Sequence, residues 1–175
     1  ASKITQKEGY IFSSLLKGNF VPTPATLVKR ECFERVGMFD ELFPPAEDWE
    51  LFLRMSKRYQ FKCIDEPLAI LYRRSDSISL NQSFLIKGYK QMLETFFEDI
   101  RQDKRVLASC YFNLGHFLCS YGELTQGRNY FIRSIKPYPW DIKALGAFLV
   151  SLLGKNIYNM VAEIYRRIRW IALRR

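Results

Sequence analysis

The sequence predicts a mainly α-helical fold with a small β portion, on the basis of its composition and two kinds of periodicity. Of the 175 residues, 48% are hydrophobic and 26% are charged, which is typical of a globular protein that buries a core. Up to about residue 79, short β-type runs alternate with one or two helices. From about residue 81 the apolar spacing is helical throughout. We therefore predict two domains, 1–80 and 81–175, joined without a low-complexity linker.

Three runs in the first domain have the apolar and β-branched composition of strands, and Pro or turn-forming residues lie beside them. The runs are residues 25–29, 61–64 and 68–72. The paired prolines Pro44 and Pro45 predict a loop over 39–45, because the helix interior does not accommodate proline.

Two helices are predicted between these runs. One covers 31–36 and should end at Gly37, since glycine readily adopts the left-handed conformation that closes a helix. The other covers 47–57, where Trp49 begins an apolar pattern with i, i+3 and i+4 spacing.

The second domain is predicted to consist of consecutive helices that are separated by glycine and proline. Their predicted ranges are 84–101, 105–121, 123–136, 141–153 and 156–173. The last of these is rich in arginine and forms the basic C-terminal helix of the prediction.

Residues 105–153 contain a pattern that resembles a tetratricopeptide repeat. Its members are Tyr111, Leu114, Gly115, Leu118, Gly127, Phe131, Ser134 and Pro139, with a degenerate copy of the first helix at 145–152. Large residues occupy the first helix, and small residues stand where two helices would approach each other. A generic helical hairpin explains the same pattern. Two imperfect repeats would also need the first domain to complete their core.

The net charge of +9 is concentrated in the second domain, where residues 81–175 hold 15 Lys and Arg against 7 Asp and Glu. Within 165–175, arginines accompany an apolar stripe, a combination that suits an interfacial helix on anionic lipid. The alternative is a helix that docks on the repeat and keeps its arginines in water.

The cysteines are scattered, and a single histidine accompanies them, so a zinc site would lack ligands. They are Cys32, Cys63, Cys110 and Cys119. Reduced thiols are typical of a cytoplasmic protein. The chain begins at Ala1 without Met, from which we expect a piece of a longer protein.

Two adjacent carboxylates, Glu47 and Asp48, begin the predicted helix 47–57 after the Pro-Pro loop. A helix N-terminus favours negative charge, which alone explains acidic residues in a first turn. A carboxylate at the mouth of a loop is also suited to act as a general base beside an acceptor hydroxyl. The spacing by itself leaves both interpretations open.

Three blocks around these carboxylates resemble, in order, the C-terminal part of family-two glycosyltransferases. The blocks are Arg30-Glu-Cys-Phe-Glu-Arg-Val-Gly-x-Phe-Asp-Glu41, Glu47-Asp-Trp-Glu-Leu-x-Leu-Arg54 and Glu66-Pro-Leu-x-x-x-Tyr-Arg73. The resemblance covers about residues 9–80. It implies the C-terminal half of an α/β GT-A domain, which would pack on the tetratricopeptide-like helical hairpins.

The resemblance implies inverting transfer of a sugar from a nucleotide-diphosphate sugar to the hydroxyl of a saccharide or lipid-linked acceptor. Asp48 matches the base that deprotonates the acceptor, and Glu47 would help to shape the sugar pocket. Trp49 would pack under or beside the acceptor. Arg73 and Arg74 would neutralise charge on the diphosphate, and a solvated strand end is the alternative explanation for them.

The chain departs from the family pattern in two places. Residues 1–35 contain no Asp-x-Asp metal site, so the chain resembles the back half of the enzyme. We expect that alone it binds a sugar nucleotide poorly, does not turn over and holds no metal. The divalent metal, Mg or Mn, is expected in the intact parent enzyme. Ser75 stands where the family often has His.

The expected setting is the bacterial synthesis of cell-surface polysaccharide in the cytoplasm, with a peripheral contact to the inner membrane face. The helical repeats would bind a protein partner or a second copy of the chain. The competing hypothesis is a non-catalytic helical-repeat adaptor for protein interactions. Nucleic-acid binding is not expected, because the basic residues form no known binding motif.

Overall fold

The computed structural model describes residues 8–43, 46–70, 72 and 81–172. Within these ranges the chain is mostly helical, with nine α-helices and one 3-10 helix, Thr23–Ala25. The α-helices are α1 (Phe12–Leu15), α2 (Arg30–Val36), α3 (Glu47–Ser56), α4 (Gln82–Thr95), α5 (Phe97–Ile100), α6 (Lys104–Tyr121), α7 (Leu124–Ile135), α8 (Ile142–Ser151) and α9 (Lys155–Ala172). The described residues divide into two compact units, of which one ends at Ile100 and the other begins at Arg101.

Helix α3 is the centre of the first unit, and most of its side chains are buried. Leu51, Phe52 and Leu53 lie in the core with Leu15 of α1, and helices α1 and α2 both pack against α3. Each such side chain contributes roughly 1.5–3 kcal/mol when it is fully buried. The observed range of α3 confirms the helix predicted from the apolar spacing at 47–57.

Helix α2 confirms the predicted short helix and its end point. The helix is followed by Gly37, whose φ of 86° lies in the left-handed region. The Gly37 N–H donates to the Phe33 carbonyl at 2.8 Å and so satisfies one carbonyl at the helix end. Any other residue would be strained at this φ, which explains the glycine.

The prediction of three strands in the first domain was wrong for the residues that the structure describes. The runs at 25–29, 61–64 and 68–72 contain no regular strand there. Gly9 and Phe61 form an isolated antiparallel bridge, with backbone hydrogen bonds of 2.7 and 2.9 Å. A strand needs neighbouring backbone to complete its ladder, and the composition of a run does not supply it. The side chains of Ile64, Leu68 and Ile70 are exposed instead, and the α/β GT-A domain stays a prediction.

Helix α4 belongs to the first unit, so the structural division lies at residue 100 rather than at residue 80, where the sequence pattern changes. The ring of Tyr89 packs edge-on against Trp49, with ring centroids 5.0 Å apart. The Gln91 side chain donates to the Leu42 carbonyl at 3.0 Å. The helix predicted over 84–101 is observed as two helices, α4 and α5.

A chain that ends at residue 80 is expected to lose cooperative unfolding, whereas one that ends at residue 100 should keep it. Helix α4 covers Trp49, and the buried side chains of Met92 and Phe96 belong to the same region. Removal of these residues would expose apolar core that a small domain needs for stability. Thermal unfolding of both fragments, followed by circular dichroism, measures the difference. Cooperative transitions with equal midpoints would contradict this role of α4.

Helices α6 and α7 form a hairpin in which two glycines mark the closest approach. A Cβ atom on Gly115 would lie 2.9 Å from the Gly127 carbonyl oxygen, and one on Gly127 would lie 2.9 Å from that of Gly115. Phe131 is fully buried beside them, and the Ser134 hydroxyl donates to the Ala108 carbonyl at 2.8 Å. Four residues of the sequence repeat, Gly115, Gly127, Phe131 and Ser134, therefore lie in the contact between α6 and α7, and the tetratricopeptide assignment stays a prediction.

Helices α6–α9 agree with the predicted helices to within two residues at each end. Helix α8 packs on α7, and α9 packs on α6 and α8. A buried cluster of Cys119, Phe131 and Tyr158 joins α6, α7 and α9. None of the helices in the described part of the chain has the length and apolar character to cross a membrane.

The second unit is expected to lose stability as the pH falls below about 6.5, because burial lowers the pKa of His116. Its Nδ1 atom lies 2.8 Å from the Tyr158 hydroxyl, and the folded state keeps the ring neutral. The unfolded chain binds a proton more readily, so the free energy of unfolding decreases in acid. Urea midpoints at pH 7 and pH 5 should differ less in His116→Phe than in the wild type. Equal differences would contradict this source of the pH dependence.

Candidate functional site

The first turn of α3 contains three carboxylates, from Glu47, Asp48 and Glu50. The preceding residue, Ala46, has no side chain that accepts a hydrogen bond from the helix start. Asp48 provides such an acceptor, since its Oδ1 atom accepts the backbone N–H of Trp49 at 2.6 Å. The contact satisfies one of the N–H groups that a helix leaves without a partner in its first turn.

The other carboxylate oxygen of Asp48 is held by a residue from a separate turn. The Thr23 hydroxyl donates to Asp48 Oδ2 at 2.7 Å. Thr23 begins the 3-10 helix, and the Thr26 hydroxyl closes that turn by donating to the Pro22 carbonyl at 2.8 Å. The half-buried carboxylate is thereby oriented through both of its oxygens.

This carboxylate is suited to two tasks. An ionised carboxylate accepts about four hydrogen bonds, so Asp48 keeps free acceptor positions beside those used by Thr23 and Trp49. It can stabilise the start of α3 and also take a proton from a hydroxyl group placed next to it. The Asp48 side chain is therefore compatible with both interpretations of the sequence, stabilisation of the helix start and general-base catalysis.

The neighbours of Asp48 in sequence lie in different environments. Glu47 is exposed, and Trp49 is 5% exposed. The Trp49 indole N–H donates to the Leu15 carbonyl at 2.8 Å, and its ring meets the edge of Tyr89. A ring enclosed in this way offers no open face on which a sugar could stack. The geometry of Trp49 is that of an anchor for the start of α3.

Glu50 and Arg54 have a structural role that the sequence did not reveal. Glu50 is 5% exposed, and its two carboxylate oxygens accept from Arg54 Nε and Nη2 at 2.6 and 2.8 Å. Arg54 also donates to the backbone carbonyls of Val36 and Met38, the latter at 2.7 Å. Arg54 thus joins the end of α2 and the following turn to α3. The i, i+4 spacing of an acid and an arginine was the available signal.

The predicted diphosphate and metal contacts are not described by the structure. Arg73, Arg74 and Ser75 lie outside the described residues. Among the residues that are described, no group of three potential metal-ligating side chains comes together. Glu47 and Asp48 alone do not provide the oxygen ligands that Mg or Mn requires.

Cys32, Cys110 and Cys119 are buried and Cys63 is exposed, and no disulfide joins these four cysteines, all of which lie in the described residues. Burial raises the pKa of Cys119 to about 11. The neutral thiol is therefore its stable form near neutral pH, and it is a poor nucleophile in that form.

The sequence profile of Glycosyltransferase like family 2 matches residues 2–118. The match covers more than half of the chain, and the protein belongs to this family. No curated protein and no solved structure matches the chain. The family match includes α1–α5 and ends inside α6, so it extends beyond residues 9–80, the range of the resemblance that the sequence blocks indicated.

Proposed function

We propose that this chain provides the acceptor side of an inverting glycosyltransferase, with Asp48 as the general base. The donor is a nucleotide-diphosphate sugar, and the acceptor is a hydroxyl group. One observation carries the proposal: in a member of Glycosyltransferase like family 2, the half-buried carboxylate of Asp48 stands at a helix start and Thr23 holds one of its oxygens at 2.7 Å.

The proposed reaction is an in-line displacement at the anomeric carbon of the donor. The acceptor oxygen forms a bond to this carbon while its proton passes to the Asp48 carboxylate. The bond from the anomeric carbon to the diphosphate oxygen breaks, and its electron pair leaves with the diphosphate. An alcohol attacks poorly unless a carboxylate within about 3 Å takes its proton, which typically accelerates the step about 10²–10⁴-fold.

The contacts around Asp48 support this role because they restrict its rotation. The Thr23 hydroxyl and the Trp49 N–H each bind one oxygen, at 2.7 and 2.6 Å. A base that is already oriented loses little freedom when the acceptor binds. In this proposal Trp49 is a positioning residue under the base, and the exposed Glu47 contacts the sugar.

The remaining parts of the proposal follow from the family resemblance. Arg73 and Arg74 would neutralise charge on the donor diphosphate. A divalent metal, Mg or Mn, would balance the remaining charge if residues of the intact enzyme outside this chain held it. The acceptor is a saccharide or a lipid-linked acceptor in the synthesis of bacterial cell-surface polysaccharide, and the enzyme works in the cytoplasm. The tetratricopeptide-like helices bind a protein partner or a second copy.

The test is a transfer assay on the longest natural polypeptide that contains these residues, with a panel of labelled nucleotide-diphosphate sugars. We expect transfer from at least one donor, and we expect Asp48→Asn to remove it while calorimetry shows intact donor binding. A non-catalytic adaptor would transfer no sugar from any donor in the panel. That result would overturn the proposed function.

A further inference from the structure

Helix α9 is attached to the rest of the second unit by one of its faces. Lys155 Nζ donates to the Tyr121 carbonyl at 3.2 Å, and the amide of Asn159 donates to a second carbonyl of α6 at 3.1 Å. Tyr158, which lies between Lys155 and Asn159 in the sequence, is buried. Its hydroxyl lies 2.8 Å from His116 Nδ1. These contacts fix the rotation of α9 about its own axis.

The opposite face of α9 is apolar and exposed along the helix. Its residues recur at helical spacing and are Ile157, Met160, Val161, Ile164, Ile168 and Ile171. Ile164 and Ile168, near the middle of the face, expose 49% and 60% of their surface. A continuous apolar stripe of this kind marks an interaction surface, whereas single exposed apolar residues do not.

Positive charge accompanies the apolar face. The sequence of α9 contains four basic residues and one acidic residue. Arg167 follows Ile164 by three positions and therefore borders the apolar face, whereas Arg166 follows Ile164 by two positions and is exposed on the other side of the helix. The acidic residue, Glu163, already pairs with Arg167 at 2.9 Å and with Arg166 at 3.6 Å.

This combination of charge and apolar surface favours anionic lipid over a second copy of the chain. Two copies that met through α9 would bring together two helices that each carry an excess of positive charge, and like charges close to an interface repel each other. An anionic bilayer offers acyl chains to the apolar stripe and phosphate groups to the guanidinium groups. An anionic bilayer therefore complements both the apolar face and the positive charge of α9.

We propose that α9 docks on the surface of an anionic lipid bilayer. The helix lies in the plane of the headgroups, with Ile164 and Ile168 inserted toward the acyl chains and Arg167 against a lipid phosphate, while Arg166 on the other side of the helix lies within the negative potential of the surface. This binding site goes beyond the proposed transferase function. It rests on the second unit alone and does not depend on the chemistry of Asp48.

The charge requirement is tested by co-sedimentation of the whole chain with vesicles of phosphatidylglycerol and phosphatidylcholine in equal parts. We expect binding to these vesicles and none to pure phosphatidylcholine. Each arginine near such a surface contributes about fivefold to partitioning, so Arg166→Gln/Arg167→Gln should weaken it about 30-fold. Raising the salt from about 0.1 M to about 1 M shortens the Debye length from about 10 to about 3 Å and should release the wild type.

The apolar requirement is tested by Ile164→Gln/Ile168→Gln, which should weaken partitioning about tenfold because two half-exposed isoleucines no longer insert. Two double variants serve as matched controls. Ile70→Gln/Ile132→Gln replaces two exposed isoleucines outside α9 and controls for the loss of apolar surface. Lys136→Gln/Lys143→Gln removes two positive charges outside α9 and controls for the loss of charge. Each control should change partitioning by less than about twofold. All variants alter exposed side chains, and circular dichroism checks that they keep the wild-type helix content.

Three results would overturn the proposal. The first is a wild-type protein that does not bind the anionic vesicles at low salt. The second is equal weakening by the α9 variants and by the controls, which would indicate a nonspecific effect of charge or polarity. The third is a dimer in sedimentation experiments without lipid that Ile164→Gln/Ile168→Gln dissociates, because the face would then belong to a second copy.

Discussion

Asp48→Asn is expected to lower kcat by about 10²–10⁴-fold in the longest natural polypeptide that contains this chain, with donor binding nearly unchanged. A carboxamide cannot take the acceptor proton, and a general base acts only in the transition state. The loss therefore falls on kcat, as an increase in the barrier of about 3–5 kcal/mol. Steady-state kinetics at saturating donor measures it, together with a calorimetric titration of the donor.

The same variant separates catalysis from stabilisation of the helix start. The asparagine amide oxygen still accepts hydrogen bonds from the Trp49 N–H or the Thr23 hydroxyl. If Asp48 only stabilises α3, the substitution should lower the stability by at most about 1 kcal/mol and change activity little. Retention of more than about a tenth of the wild-type kcat, with chemistry shown to be rate-limiting, would contradict the proposed base.

Asp141→Asn is the matched control. Asp141 precedes α8, and its Oδ1 atom accepts the Lys143 backbone N–H at 3.1 Å. The substitution thus removes a carboxylate from another helix start and leaves the candidate site untouched. We expect kcat to stay within about twofold of the wild type, since general-base catalysis does not involve this residue. If Asp141→Asn lowered kcat as much as Asp48→Asn does, the decrease of kcat in both variants would result from reduced stability of the protein.

The helices could be predicted because their signals are local. The end of α2 depends on Gly37, the residue that follows it directly, and α3 shows its apolar pattern within its own ten residues. The prediction of strands at 61–64 and 68–72 was wrong for the described residues, because a strand is defined by the backbone that pairs with it. Their Ile and Leu content carries no information about that partner.

The candidate site also contains features that could be predicted from local sequence and contacts that could not. The adjacent carboxylates Glu47 and Asp48 were visible in the sequence because they are neighbours at a helix start. Thr23 was not, since it lies 25 residues before Asp48 and its turn contains no sign of the acid that it meets. The burial of Trp49 was equally hidden, because its hydrogen-bond partner Leu15 lies 34 residues earlier in the chain.

Arg54 connects the first two sequence blocks in the structure. The first block consists of α2 and the turn after it, and the second block lies within α3. Arg54 binds carbonyls of Val36 and Met38 in the first block and the Glu50 carboxylate in the second. A planar guanidinium with five donors suits this arrangement, and an ammonium group does not. The two blocks thus form one unit that positions the start of α3.

Arg54→Met is expected to destabilise the first unit by about 3 kcal/mol, the lower end of the range for breaking a buried ion pair, because the Glu50 side chain is 7% exposed and that of Arg54 is 27% exposed. The methionine keeps an unbranched apolar side chain and removes all five donors. The Glu50 residue, only 5% exposed, then loses the guanidinium that compensates the burial of its carboxylate. The carbonyls of Val36 and Met38 lose a donor as well. Urea unfolding followed by circular dichroism at neutral pH measures the change.

Glu50→Gln/Arg54→Met is expected to recover about half of that loss, because the double variant leaves no unpaired carboxylate in the core. The exposed pair Glu163–Arg167 has the same i, i+4 spacing and provides the matched control. Arg167→Met should leave the urea midpoint unchanged, since solvent screens an exposed ion pair. If Arg54→Met lowers the free energy of unfolding by less than about 1 kcal/mol, the ion pair does not join the two blocks. The apolar packing of α3 would then hold them together alone.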